Sequence, residues 1–180
     1  MAWTTPPTFV VGQIPTAADL NALLRDNMNE TIPAKASRRS GYFASAGTNA
    51  LAERHILRAT AFETKDMTMT STSFASHPKG PSLTFEHSGS FLAIYSARLY
   101  TVTGSSGTNG WCAVAPASSE ESASLSYSVR NHGGDDALFR AQAHHLFTGH
   151  TPGETTVELQ YRVETGTGRF AQCELIIMPF

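Results

Sequence analysis

The sequence predicts a mainly β protein, an antiparallel β-sandwich preceded by an extended N-terminal arm and one short α-helix. After residue 40 most of the chain alternates apolar and polar residues with a period of two, and the clear helical periodicity lies before that point. The chain has 180 residues, enough for one sizeable core without disulfides or metals. We expect an anchoring arm and helix at residues 1–34, a connector at 35–40 and a β domain at 41–180.

Composition and charge exclude several classes of function. The formal net charge is −2, and only Arg38 and Arg39 stand together, so we expect no nucleic-acid partner. No apolar run approaches the roughly 18 residues that span a bilayer, and the first residues lack the features of a secretory signal, so we expect no membrane insertion. Charged residues make up 16% of the chain, against about 25% in typical proteins, which favours a surface that packs against other protein.

The arm and helix lack the neighbours needed to bury their own apolar residues. Residues 1–14 are apolar, extended and rich in Pro. Thr16 and Asp19 have the spacing of a capping box, and the apolar positions that follow predict a helix over residues 17–29. A helix of about 13 residues is marginal alone in water, so we expect this region to bind another surface. The expected anchoring residues are Trp3, Pro7, Phe9, Val10, Leu20, Leu24 and Met28.

The β domain is predicted from individual strands. In residues 155–164, apolar residues alternate strictly with polar ones, which indicates a half-buried strand. Residues 90–103 and 170–180 are apolar on both faces, so we expect a second surface to cover them. Shorter strands are expected at 58–62, 67–71, 82–85, 111–115, 122–130 and 137–146, separated by turn residues. About eight strands at this spacing predict a sandwich or jelly roll.

Candidate residues for catalysis and metal binding are few. His144 and His145 are adjacent on a predicted strand and face opposite sides, so they cannot bind one metal within a single chain. One histidine from each chain of a symmetric trimer could still meet on its axis. Asp135 and Asp136 follow two glycines in a turn-like segment without the spacing of an EF-hand. We therefore expect a protein that is not an enzyme, with no catalytic residue, no cofactor and no metal.

The cysteines and tryptophans are expected to be buried in different settings. Cys112 and Cys173 lie in apolar stretches and are expected to be buried thiols. A disulfide between them stays open at this point. Trp3 is expected in an interface because its neighbours cannot bury it, and Trp111 is expected in the core.

The N-terminal segment resembles a known class of proteins. Residues 3–34 are similar to the opening of many small virion proteins of tailed bacteriophages, in which a Trp, a Pro-rich stretch, a V-x-G-x-x-[PV]-T-A-x-x-L-N segment and an L-R-D-N helix precede a β domain. The matching residues are Trp3, Pro7, Gly12, Thr16, Ala17, Leu20, Asn21, Leu24, Arg25, Asp26 and Asn27. The resemblance implies a structural protein of the virion, assembled in the cytoplasm of the bacterial host.

The β part resembles the jelly rolls of the tumour-necrosis-factor and complement globular-head type. Residues 82–99 are similar to that family's strand, turn and G-x-[YF]-x-[VI]-x-[AS] segment, with Gly89 and Phe91 in the expected places. Residues 153–163 resemble its G-D-x-V-x-L-x-V strand, with Glu154 where Asp is usual, and residues 173–180 resemble its final strand. The family's collagen-like stalk and its usual aromatic cluster are absent. The resemblance implies a homotrimer.

These observations lead to one expected function and two alternatives. We expect a non-enzymatic, trimeric capsid decoration or head fibre protein, tethered by its N-terminal arm to other virion proteins such as the major capsid protein or tail proteins. The first alternative is a tail-fibre or baseplate tip that binds a host-surface glycan or protein through the turns at 103–110 and 131–136, which contain no aromatic residue to stack on a sugar. The second, a cell-wall hydrolase, requires a convergent acid/base or metal pair that the sequence does not present.

Overall fold

The structure, a computed structural model, divides the chain into two compact units, Met1–His55 and Ile56–Phe180. It describes residues 10–21, 37, 41–48, 50–61, 67–101, 110–117, 123–130 and 139–180. Within these residues, no helix combines the length and the apolar character needed to cross a membrane.

The N-terminal unit contains a short helix that begins at the predicted capping box. Helix α1 spans Ala17–Leu20. The Asp19 backbone N–H donates to Thr16 Oγ1 at 3.1 Å, and the Thr16 backbone N–H donates to the Asp19 carboxylate at 2.9 Å. This reciprocal pair satisfies two of the backbone donors that a helix start leaves unbonded. Residues 22–29, over which the helix is predicted to continue, lie outside the described residues.

The same unit contains a β-hairpin. Strand β1 (Gly41–Gly47) pairs antiparallel with β2 (Ala50–His55) in a two-stranded sheet of its own. The sequence prediction places the start of the β domain at residue 41. The structure groups this hairpin with the N-terminal unit and begins the second unit at Ile56.

The C-terminal unit is an antiparallel β-sandwich, as the sequence predicts. Its strands are β3 (Leu57–Ala61), β4 (Met67–Met69), β5 (Ala75–Ser76), β6 (Ser82–His87), β7 (Ser90–Thr101), β8 (Gly110–Pro116), β9 (Val129–Arg130), β10 (Phe139–Thr148), β11 (Gly153–Val163) and β12 (Gly168–Pro179). Among the described residues, sheet I has the order β10-β7-β12-β3, with β4 also paired to β12. Sheet II has the order β5-β11-β8-β9, with β6 also paired to β11. The antiparallel pairs are nested along the chain: β8 with β9, β7 with β10, β6 with β11 and β3 with β12.

The core lies between the two sheets and is built by side chains that alternate along each strand. Fully buried residues come from both sheets: Phe91, Ala93, Tyr95, Ala97 and Leu99 on β7, Val157, Leu159, Tyr161 and Val163 on β11, and Cys173, Leu175 and Ile177 on β12. Burying each large apolar side chain contributes about 1.5–3 kcal/mol. The strands predicted at 90–103, 155–164 and 170–180 thus supply every residue named here.

A β-bulge interrupts β12. Ala171 pairs with Arg98 of β7, but the next pair is Glu174 with Ser96, so β12 accommodates one extra residue. Gln172, within this step, has a φ of 48°, in the left-handed region. Because of the bulge, Phe170 and Cys173 both face the core although they stand three positions apart, a spacing that places residues of a regular strand on opposite faces.

Most predicted strands overlap an observed strand, but the prediction for residues 122–130 was wrong for most of its length. Leu125–Tyr127 is a 3-10 helix, and within the described residues 123–130 strand structure is confined to Val129–Arg130. The reason is local: Ser124 Oγ accepts a hydrogen bond from the Ser126 N–H at 3.2 Å. Such short-range bonds from serine compete with strand pairing. The sequence prediction also missed β5, which is only two residues long.

The two cysteines are free and buried, as predicted. Burial raises the pKa of the Cys173 thiol to about 11 and that of Cys112 well above its usual value. Because the thiolate is the reactive form of cysteine, both residues are held in an inert state and act as small apolar groups in the core.

These pKa shifts predict that the protein loses stability in mild alkali. Between the ordinary thiol pKa of about 8.5 and the value of about 11 for folded Cys173, the unfolded chain releases a proton that the folded chain keeps. The free energy of unfolding should therefore fall by about 1.4 kcal/mol per pH unit for each thiol. Urea unfolding between about pH 8 and pH 10 measures this slope. Cys112→Ala and Cys173→Ala should each reduce it, and an unchanged slope in both variants would contradict the prediction.

Candidate assembly surface

The outer face of sheet I carries a patch of apolar side chains. Since the odd-numbered residues of β7 face the core, Leu92 and Ile94 face outward. Strand register places Leu92 between Leu146 of β10 and Met178 of β12, and Ile94 beside Ile176 of β12. Leu146 is 51% exposed, and the other four are partly exposed. We call these five residues the apolar patch.

The patch is fixed at one end by the last residue of the chain. Phe180 follows Met178 by two residues, the same-face spacing of a strand. Its N–H donates to the Ser90 carbonyl at 2.9 Å, and its own carbonyl accepts from the Ser88 N–H at 2.5 Å. These bonds hold the β12 terminus against the turn between β6 and β7.

Charged residues occupy the other end of the same face. Glu174 accepts from Arg58 Nε at 2.5 Å and lies 3.7 Å from Arg140 Nη2. The carboxylate therefore joins β12 to the two edge strands of sheet I. An apolar patch with charged groups at its margin is the usual anatomy of a protein–protein interface.

Ser96 lies between the apolar and charged parts of this face. It is 4% exposed, and among the described residues its hydroxyl has no hydrogen-bond partner. A buried hydroxyl without a partner costs about 1–3 kcal/mol. Because this hydroxyl is also excluded from solvent, the cost falls on the isolated chain.

The predicted anchoring residues fall partly within the described structure. Val10 is 68% exposed and Leu20 is 47% exposed. Neighbouring Val11 and Ile14 are also exposed, and α1 contains no buried residue. Trp3, Pro7, Phe9, Leu24 and Met28 lie outside the described residues. The described part of the arm thus presents four large apolar side chains to its surroundings.

The histidines serve the sandwich in separate places. His144 is exposed on the outer face of sheet I, whereas His145 stacks on Tyr127 with ring centroids 3.9 Å apart. His150 lies edge-on to His87, with centroids 6.3 Å apart. No three His, Cys, Asp or Glu side chains in the described part of the chain are grouped so that they could hold a metal.

His87 stabilises the turn between β6 and β7. It is buried, and its Nδ1 accepts the Gly89 N–H at 2.9 Å. Gly89 has a φ of 109°, and a Cβ there would lie 3.1 Å from the His150 carbonyl oxygen, so the turn requires glycine. A cavity of about 360 Å³ adjoins it, lined in part by His87, His150 and Glu154. Residues that carry the resemblance, Gly89 and Phe91, therefore have a structural role in this turn.

The sequence predicts Trp111 in the core, and the structure buries this residue at 9% exposure. Its ring does not lie between the sheets, because the neighbouring Cys112 occupies the inward position of β8. The indole instead lies on the outer face of sheet II, covered by two arginine side chains, Arg130 and Arg162. Sequence alone could not distinguish this form of burial from a place in the core.

Sequence reasoning identified the two strands that carry most of the apolar patch but missed three of the residues in this surface. Leu146 had a signal, because it interrupts the polar series Arg140, Gln142 and His144 on the same face of β10. Ser96 and Glu174 had none, because their importance depends on which residues the other strands place beside them.

Comparison with known proteins identifies no relative: no protein-family model matches the chain, and no curated protein matches it.

We expect Glu174→Gln to lower the free energy of unfolding by about 1 kcal/mol, because it removes the negative charge that Arg58 and Arg140 share. The loss should shrink at high salt. Glu154→Gln is the matched control, since Glu154 is exposed and lies opposite Glu86 in the register of β11 and β6. Like charges in that position repel each other, so this variant should lose no stability. Equal losses in the two variants, measured by urea unfolding, would contradict the assignment.

Proposed function

We propose that this chain is a non-enzymatic structural protein of a bacteriophage virion, attached to the particle through its N-terminal segment. The observation that carries the proposal is the exposure of Val10, Val11, Ile14 and Leu20 within one short segment. Apolar residues concentrated in this way are characteristic of contact with a partner. The resemblance of residues 3–34 to phage virion proteins supplies the class of partner, a capsid or tail protein.

We infer that the C-terminal unit is a jelly roll. The nested strand pairs support this, because a chain that pairs β8 with β9, β7 with β10, β6 with β11 and β3 with β12 is a long hairpin wrapped into two sheets. The placement of Gly89 and Phe91 at the start of β7 agrees with the resemblance to the tumour-necrosis-factor and complement globular-head type.

We also propose that three copies assemble through the outer face of sheet I. The apolar patch supplies surface to bury, and the Glu174 carboxylate with its arginines forms a charged margin. Closed cyclic symmetry suits this arrangement, because a single face can be buried equally in every copy. The resemblance supplies the threefold number.

The non-enzymatic part of the proposal agrees with the state of the most reactive side chains described. Cys112 and Cys173 are buried and have raised pKa values, so they do not serve as nucleophiles at neutral pH. The location in the particle is proposed as a head decoration or head fibre. A tail-fibre or baseplate tip is the alternative.

We expect the full-length chain to have the mass of three copies in solution, and Leu146→Lys to have the mass of one. The lysine places a charge in the patch at a residue that is already half exposed, so folding of the isolated chain should survive. Gln160→Lys, on the outer face of sheet II, is the control and should remain a trimer. Light scattering measures all three. A monomeric wild-type chain, or loss of the trimer in the control, would refute the proposed interface.

Attachment is tested by adding the purified chain to phage particles that lack it. Val10→Asp and Leu20→Asp should bind the particles at least about tenfold more weakly, because each puts a charge where an apolar contact is proposed. Ala18→Asp adds the same charge at an exposed position of α1 and should bind as the wild type does. Binding to heads supports the decoration role, and binding to tails only supports the alternative. Unchanged binding of both apolar variants would overturn the anchoring role.

A further inference from the structure

A row of three side chains crosses the outer face of sheet II. Strand register places Trp111 of β8 between Arg162 of β11 and Arg130 of β9. Their sequence neighbours on each strand face the core, so these three side chains face outward together. The row lies on the sheet opposite the apolar patch, so the proposed assembly through the patch does not cover it. Arg130 is exposed and Arg162 is partly exposed, whereas Trp111 is buried between them.

The indole holds both guanidinium groups in place. The Cζ atom of Arg130 lies 5.1 Å from the centroid of the Trp111 ring, and that of Arg162 lies 4.9 Å from it. Both distances are those of cation–π contacts. Arg162 also lies 5.8 Å from the ring of Phe74. Stacking on aromatic rings restrains the arginines, and because Arg130 is exposed and Arg162 partly exposed, solvent reaches both side chains.

The charges of this row are not compensated within the described part of the chain. There, Arg130 and Arg162 form no hydrogen bond or ion pair, whereas Arg58 and Arg140 share the Glu174 carboxylate. Arg162 Nε is buried without an acceptor. A buried donor lacking an acceptor and two neighbouring positive charges are both unfavourable. An anion bound between the guanidinium groups would compensate the two neighbouring positive charges.

We propose that Arg130 and Arg162 form a binding site for an acidic polysaccharide, one that carries carboxylate or phosphate groups. A guanidinium binds either group through two parallel hydrogen bonds. The two Cζ atoms lie no more than about 10 Å apart, given their distances to the shared ring, so two acidic groups of one polymer can be held at once. Nucleic acid fits less well, because its closely spaced phosphates require a longer basic stripe and the chain has a net charge of −2.

The sequence contains 2 tryptophans. The test uses the full-length chain with Trp3→Phe, so that Trp111 is the single tryptophan whose fluorescence reports binding. Its emission is followed during titration with polygalacturonate, which carries carboxylates, and with phosphomannan, which carries phosphates. Dextran is the uncharged comparison, and duplex DNA tests the other class of polyanion. We expect saturable, salt-sensitive binding of one acidic polysaccharide, and the one that binds identifies the acidic group.

Variants connect the binding to the row. Arg130→Gln and Arg162→Gln should each weaken binding by about tenfold or more. Arg130→Lys should bind more tightly than Arg130→Gln but more weakly than the parent, because lysine keeps the positive charge and lacks the paired donors. Arg169→Gln, at an exposed arginine of β12, is the matched control and should bind as the parent does. Arg130 is exposed, so its variant tests the site even if Arg162→Gln does not fold. Absence of binding to both acidic polysaccharides, tighter binding of DNA, equal binding of dextran, or an equal loss in the control would each overturn the proposal.

Discussion

The architecture of the C-terminal unit depends on one constraint: side chains alternate along each strand, and the inner faces of the two sheets bury each other. Residues such as Tyr95, Tyr161 and Leu175 are completely enclosed, so the inward positions of β7, β11 and β12 are filled by aliphatic, aromatic and cysteine side chains. Once those positions are fixed, the outward positions are fixed too. The apolar patch and the arginine row are therefore determined by the same alternation that builds the core.

The described surfaces differ in chemistry, and this difference is consistent with the proposal that the protein acts by binding other molecules. The outer face of sheet I is apolar at one end and charged at the other. The outer face of sheet II carries two arginines on one indole. In the N-terminal unit, apolar side chains in and around α1 are exposed, and no residue of α1 is buried. We propose a different partner for each surface: a copy of the chain, an anionic ligand and a protein of a larger particle.

The sequence was sufficient where a pattern repeats within one strand. The alternation in β11 and the apolar runs of β7 and β12 predicted the sandwich, and the spacing of Thr16 and Asp19 predicted the start of α1. Features that depend on pairing between distant segments were not predictable. Trp111 meets Arg130 and Arg162 only through the register of three strands, and Glu174 meets Arg58 only because β12 and β3 are neighbours. The 3-10 helix near Ser124 reflects local hydrogen bonds that override a weak strand pattern.

The bulge in β12 has a consequence for how sequences of this fold can change over evolution. Removing one residue at Gln172 would leave Phe170 opposite Leu99 and Glu174 opposite Ser96, so β12 would pair with β7 continuously and every core position would keep its face. Removing a residue elsewhere in the strand would instead turn the segment between that point and the bulge over and direct its apolar side chains outward. Single-codon deletions should therefore survive selection at the bulge and be eliminated elsewhere in β12. Changes in the length of this strand are thus confined to the bulge and to the turns at its ends.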